Sequence, residues 1–218
     1  MKNSYICGLM NEIAQYGIIP ISYNIVAESL SDYNSPKDKV SRMQQQGQLI
    51  RLKKGVFVVA PEVSNRTLSM ELIANHLYGP SYISLESALA YYGLIPERVH
   101  LMRSVTTKRA RNFSTPLGEF EYLTMLAPYY SIGIKQLVFG EEYSFLIAYP
   151  EKALSDLIIA TSGLRIQSAK AMREYLYEDL RLDFDEHENW DSDILRGCIE
   201  NGRKKRELGF LYEVLING

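Results

Sequence analysis

The chain has 218 residues, 46% hydrophobic and 23% charged, with a formal net charge of −2. That mix excludes a disordered or low-complexity polymer and leaves room for two folded units. No apolar run approaches the ~20 residues of a membrane span, and the N-terminus lacks a signal-peptide pattern. Two isolated cysteines, Cys7 and Cys198, exclude a disulfide framework and a zinc site, so a reducing cytoplasm is the expected setting.

Charge is distributed unevenly. Residues 1–60 hold seven basic side chains against four acidic ones, +3, which leaves −5 for residues 61–218. Unlike halves point to one part that meets nucleic acid and another that does not.

Residues 3–16 place Ile6, Leu9, Met10 and Ile13 on one helical stripe, with Gly17 beyond its end. Ser22 suits the cap of a second helix in which Ile25, Val26 and Leu30 face inward. Tyr23, early in that helix, suits either a phosphate contact or packing. After the loop Ser31–Asn34, Ser35 and Pro36 start a third helix, and Gly47 ends it in a left-handed conformation. Pro36, Val40, Met43 and Gly47 share the side expected to be buried. The other side carries Asp38, Ser41, Arg42 and Gln45, flanked by Lys37, Lys39 and Gln46. Arg forks onto guanine, Gln onto adenine, and Lys reaches backbone oxygens. Leu49 and Ile50 then lead into Arg51-Leu52-Lys53-Lys54-Gly55, a hairpin tip with three positive charges, and Val56–Val59 returns as a strand apolar on both faces. Helix, helix, loop, helix and basic hairpin describe a winged helix-turn-helix over residues 1–60. Ser41, Arg42 and Gln45 are the expected base readers; Lys37, Lys39, Arg51, Lys53 and Lys54 are the expected phosphate contacts.

Pro61–Arg66 reads as a polar connection, and residues 61–218 as an α+β unit that ends in helices. A helix is expected from Thr67 to Gly79-Pro80, and another from Ser84 to Gly93. Strands are expected at Val99–Thr107, Phe120–Met125 and Ser144–Tyr149, the first two joined by a basic turn over Lys108–Gly118. Helices follow at Pro150–Thr161, Ser168–Leu180, Ser192–Asn201 and Lys204–Ile216.

Candidate chemistry is sparse. Glu151, Lys152 and Asp156 resemble part of a metal-dependent nuclease core, which would need Glu119 or Glu121 as a further ligand. The same residues also suit the first turns of a helix begun by Pro150. The acidic segment Asp183–Asp193 fails as a calcium loop, with Glu188 and Ile194 where glycine and glutamate belong. Trp190 suits an anchor for that loop or a contact surface. His76, His100 and His187 lack metal-ligand spacing, and neither a nucleophile elbow nor a phosphate loop is present. No active site and no cofactor are expected. The basic clusters Lys108–Arg111 and Arg203–Arg206 suit phosphate contacts, an acidic partner or solvated surface.

Three segments carry a resemblance: Gly47–Phe57, Tyr82–Leu89 with Tyr92–Glu97, and Ile147–Leu157. In this order they resemble the AbiEi antitoxin family of bacterial type IV toxin–antitoxin (abortive infection) systems. The resemblance implies an N-terminal domain that binds inverted repeats in its own promoter and represses the operon. It also implies a C-terminal part that opposes a nucleotidyltransferase toxin, and so a role in phage defence. The residues alone support DNA binding only; together with the resemblance, the expected form is a cytoplasmic repressor, dimeric or cooperatively binding, that doubles as an antitoxin. Two other classes stay open: a ligand-sensing winged-helix regulator, and a metal-dependent nuclease.

Overall fold

The structure, a computed structural model, describes residues 13–96, 100–184, 187 and 189–217. It is α+β and holds two sheets. The helix expected over residues 3–16 lies outside the described residues up to Glu12; Ile13, the last member of its stripe, is buried.

The first sheet is three-stranded and antiparallel. Strand β1 (Ile21–Ser22) pairs with β3 (Val56–Val59), which pairs with β2 (Leu49–Lys53). The two-residue β1 is too short to show alternation, so no local pattern announces it. Helices α1 (Tyr23–Ser29) and α2 (Pro36–Gln45) pack on this sheet. Ser22 caps α1 by accepting from the Ile25 amide at 3.4 Å. Of the three side chains expected to face inward from α1, Val26 and Leu30 are buried, but Ile25 is 39% exposed. Ser35 occupies the cap position of α2 without making a side-chain cap bond. Gly47 takes φ +70° just past the end of α2, a turn that strains any residue with a Cβ.

Strand β3 is apolar on both faces because both faces are covered. Leu49, Phe57 and Val59 belong to a small core with Ile21, Val26, Leu30, Val40 and Met43. Leu52 and Val58 point the other way and join the main core of the chain. The expected boundary at residue 60 is therefore spanned by packed side chains. The connection Pro61–Arg66 is partly helical, as α3 (Pro61–Ser64), and Asn65 turns it in the left-handed region.

The second sheet has six strands in the order β6-β7-β5-β4-β9-β8. They are β4 (Ser81–Ile83), β5 (Leu101–Thr106), β6 (Arg111–Thr115), β7 (Gly118–Thr124), β8 (Ile134–Phe139) and β9 (Tyr143–Ala148). Three of them, β4, β6 and β8, were not expected. Strands β5 and β7 run parallel, with β6 returning antiparallel to β7 at the sheet edge, so the expected basic turn is half strand. Around the sheet lie α4 (Met70–Leu77), α5 (Leu85–Tyr91), α6 (Ala127–Tyr130), α7 (Pro150–Ala160), α8 (Ala169–Glu174), α9 (Ser192–Asn201) and α10 (Lys205–Ile216). A turn of π-helix, Tyr175–Asp179, extends α8.

In the cluster at Arg203–Arg206, three side chains, Lys204, Lys205 and Arg206, are engaged with protein. Lys204 adopts φ +55°, and its Nζ donates to the carbonyls of Ile158 and Thr161 at 2.8 and 2.6 Å, closing the C-terminal end of α7. Lys205 donates to the Glu200 carbonyl and Arg206 to that of Gln167.

Candidate nucleic-acid interface

Helix α2 is ten residues long, with a basic, polar outer side and only two buried side chains, Val40 and Met43. Burying each fully is worth about 1.5–3 kcal/mol, which fixes the rotation of the helix. Pro36 is half-buried and Gly47 exposed, so the expected inner side is narrower than its spacing suggested. Opposite it, Lys37, Asp38, Ser41, Arg42, Gln45 and Gln46 all reach solvent. Lys39 lies over the Tyr33 ring at 5.1 Å, beside a shallow depression of about 270 Å³ that Asp38 and Arg42 also line. Tyr23 packs against the small core, and its amide donates to the Gly55 carbonyl at 2.8 Å, tying the hairpin tip to the start of α1.

On the hairpin, Arg51 and Lys54 are exposed. Lys53, expected as a free phosphate contact at the tip, is not free. Its Nζ donates to the Leu77 carbonyl at 2.5 Å, at the C-terminal end of α4, and lies 5.8 Å from the centre of the Phe113 ring. Burial, reinforced by nearby Arg111 and Lys108, lowers its pKa below the usual lysine value. The bulge between Arg51 and Lys53 accounts for the change of direction, because it breaks the alternation of faces. Of the eight side chains singled out on the sequence, seven thus stay with the α2–hairpin surface. The eighth, Lys53, turns toward the larger unit and meets cations that the sequence left unassigned.

Glu151, Lys152 and Asp156 lie elsewhere and are sealed off. Lys152 and Asp156 are wholly buried, with Nζ 3.1 Å from Asp156 Oδ1 at an angle too poor for a hydrogen bond. Lys152 Nζ also donates to the Tyr129 carbonyl at 3.0 Å. Tyr82 and Ser84 donate to Asp156 Oδ2 at 3.0 and 2.6 Å. Ser84 therefore spends its hydroxyl on Asp156 rather than on capping α5. Burial pulls the Lys152 pKa down against the pull of Asp156, and pushes those of Tyr82, Tyr129 and Cys198 up. Glu151 accepts from the Asp191 amide at 2.8 Å and lies 3.3 Å from His187 Nε2, which fastens the acidic segment to α7. Trp190 packs edge-on to Phe184 and His187 in the same place. Glu121 is paired with Arg103 at 2.7 Å, and Glu119 accepts from Ser114. Among the described residues, no three His, Cys, Asp or Glu side chains converge as metal ligands.

Neither a protein-family model nor a curated protein matches this chain. A cavity of about 280 Å³ beside α6 and the α9–α10 turn has an apolar lining, with Asn201 and Arg203 at its polar edge. That volume falls just under the usual ~300–1,000 Å³ of small-molecule sites. No described helix is long and apolar enough to cross a membrane.

Proposed function

We propose that this protein is a cytoplasmic DNA-binding repressor, without enzymatic activity, whose N-terminal part is a winged helix-turn-helix. In this reading α2 enters the major groove and the β2–β3 hairpin is the wing. One observation carries it: the outer side of α2 presents Arg42, Gln45, Ser41 and Lys37 to solvent while Val40 and Met43 hold the helix on its core. The order β1, α1, α2, β2, β3, with the hairpin backing two helices, supports the same reading. Arg42, Gln45 and Ser41 read base edges; Lys37, Lys39, Arg51 and Lys54 hold phosphates.

The antitoxin role rests on the resemblance to the AbiEi family. Its two more distinctive segments meet in space, since Tyr82 and Ser84 of one bond Asp156 of the other and Ile83 pairs with Ile147. These segments act as one structural signature, and the repressor binds inverted repeats in its own promoter, as a dimer or cooperatively. Its functional partner is a nucleotidyltransferase toxin from the same operon. A mobility-shift titration with DNA from upstream of its own gene tests the first claim: a sequence-selective shift, lost on Arg42→Ala, is expected. Absence of any shift at low salt removes the repressor reading. Co-expression with the neighbouring gene tests the second, with restored growth expected; a harmless neighbour removes the antitoxin reading alone.

A further inference from the structure

The six-stranded sheet ends in two edges that differ in their surroundings. Edge strand β6 lies against the β2–β3 hairpin, with Lys53 5.8 Å from the centre of its Phe113 ring. Edge strand β8 borders only β9 in the sheet. Its register shows which backbone groups it leaves over. The Tyr149 amide donates to the Gly133 carbonyl at 2.9 Å, one step beyond the Ile134–Ala148 pair. Antiparallel pairs alternate between those that exchange hydrogen bonds and those that do not, so Lys135, Leu137 and Phe139 bond β9. Leu146 agrees, because its backbone turns away from Gln136 opposite: its amide donates to Asn75 Oδ1 at 2.6 Å, and its carbonyl accepts from Asn75 Nδ2 at 3.4 Å. Ile134, Gln136 and Val138 therefore point their N–H and C=O groups out of the sheet edge. Among the described residues nothing bonds those groups.

An open edge is a template for another strand, and proteins ordinarily blunt it with proline, bulges or outward charge. Strand β8 uses none of these. It holds no proline, and its pairing with β9 runs without a register shift. Its one charged side chain, Lys135, is folded onto the sheet face, with Nζ 4.8 and 4.7 Å from the Tyr92 and Tyr149 ring centres. Val138, in contrast, is 66% exposed, the most exposed large hydrophobic side chain among the described residues.

We infer that β8 pairs antiparallel with β8 of a second copy of this chain, joining the two larger sheets edge to edge. The occupant follows from the spacing of the outward groups. They are symmetric about Gln136, so a two-fold axis there sets Gln136 against its own counterpart and Ile134 against Val138. That register meets every outward donor and acceptor of both strands, covers Val138 with an isoleucine, and places Lys135 opposite Leu137. Sliding the strands by two residues in either direction leaves one outward residue of each copy unmet, and one of the slides sets Lys135 against Lys135. The same two-fold suits the inverted repeats of the proposed operator. That use rests on the repressor reading, whereas the dimer itself needs no DNA.

Sedimentation velocity on the full chain without DNA, over roughly 1–100 μM, tests the pairing, since one strand pair makes a small interface and a reversible association. The chain is expected to pass from monomer to dimer across that range. Val138→Pro removes an outward N–H that the single copy does not use, and Val138→Lys adds an edge charge. Each is expected to weaken dimerisation roughly tenfold or more with the far-UV circular dichroism unchanged. Val138→Lys spares the backbone, so it decides the matter if the proline variant misfolds. Gln136→Cys fixes the register: its Cα atoms stand about 5.5 Å apart across the axis, within disulfide range, so it is expected to cross-link under mild oxidation. Val138→Cys and the parent chain are not. A monomer throughout the range, a dimer untouched by both Val138→Pro and Val138→Lys, or cross-linking through Val138→Cys in place of Gln136→Cys overturns the edge pairing. Each of these leaves the α2 reading standing.

Discussion

Arg42 projects from the outer side of α2 and enters none of the ion pairs among the described residues, so its guanidinium is available for a bidentate bond to guanine. Arg42→Ala is expected to cost about 1–3 kcal/mol on the preferred duplex and to relax selectivity at one base pair, as read by competition with single-base variants of that duplex. A uniform weakening on all sequences would instead make Arg42 a phosphate contact. Lys53 behaves differently, because burial and the charges of Arg111 and Lys108 hold its pKa below the lysine value of 10.5. A DNA phosphate brought beside it would favour the charged form, so binding there would take up a proton once the free side chain has begun to lose it. Affinity should stay flat below the lowered pKa and fall as pH rises through it. Linkage gives the companion sign for folding: the unfolded chain holds this proton more tightly, so Lys53 opposes folding at neutral pH and ceases to do so as pH climbs toward 10.5. Lys53→Arg keeps the charge throughout, and the difference between the two proteins isolates this group from Lys108, Arg111 and the nearby tyrosines. Parallel pH profiles would show that Lys53 holds no phosphate.

At the scale of elements, helix α7 is the member whose burial departs furthest from a surface helix: every residue from Pro150 to Ile158 is buried, Lys152 and Asp156 included. Removing one charge of such a pair strands the other, so Asp156→Ala should destabilise the chain by about 3–5 kcal/mol in urea unfolding. The paired replacement Lys152→Met/Asp156→Leu should recover most of that stability. Recovery failing altogether would mean that the hydrogen bonds from Tyr82 and Ser84, left without an acceptor, outweigh the ion pair. Helix α7 was also among the elements most legible beforehand, since Pro150 marks its start and its apolar run is long; α9 was legible to the residue. Strand β4 was not, because Ser81–Ile83 is too short for alternation and abuts a helix-cap serine. Strand β6 reads Arg-Asn-Phe-Ser-Thr, a mostly exposed edge whose polar side chains resemble a turn. In the candidate interface, the exposed outer side of α2 was legible from helical spacing. The meeting of Lys53 with Lys108 and Arg111 was not, because more than fifty residues separate them and only the fold of the larger sheet closes that distance. The one local signal was the density of Lys and Arg in a turn whose strands needed no charge.

For the whole molecule the consequential feature is the hairpin shared by two cores. Leu52 and Val58 are 3% and 0% exposed and pack into the larger core, while Phe57 and Val59 on the opposite face close the smaller one. Among the described residues, nine buried side chains make up the smaller core, and two more on the same hairpin, Leu52 and Val58, are buried in the larger one. Docking on the larger unit therefore supplies part of what holds the hairpin in place. Leu52→Ala leaves the reading side of α2 and every cation in place but opens a cavity at the junction, with an expected cost of about 2–5 kcal/mol. If the units are coupled, that cost appears in a single unfolding transition seen alike by far-UV circular dichroism and by the fluorescence of Trp190, which lies in the larger unit. If they are independent, the circular-dichroism signal should split, with the smaller unit melting first and the Trp190 transition unmoved. Coupling has a functional corollary, because the hairpin that spans this junction is the proposed wing. A loosened junction should therefore weaken duplex binding and flatten its salt dependence, although Leu52 touches no nucleic acid. Binding unchanged in a Leu52→Ala protein with a lowered single transition would show that the hairpin's docking on the larger unit does not position it for DNA.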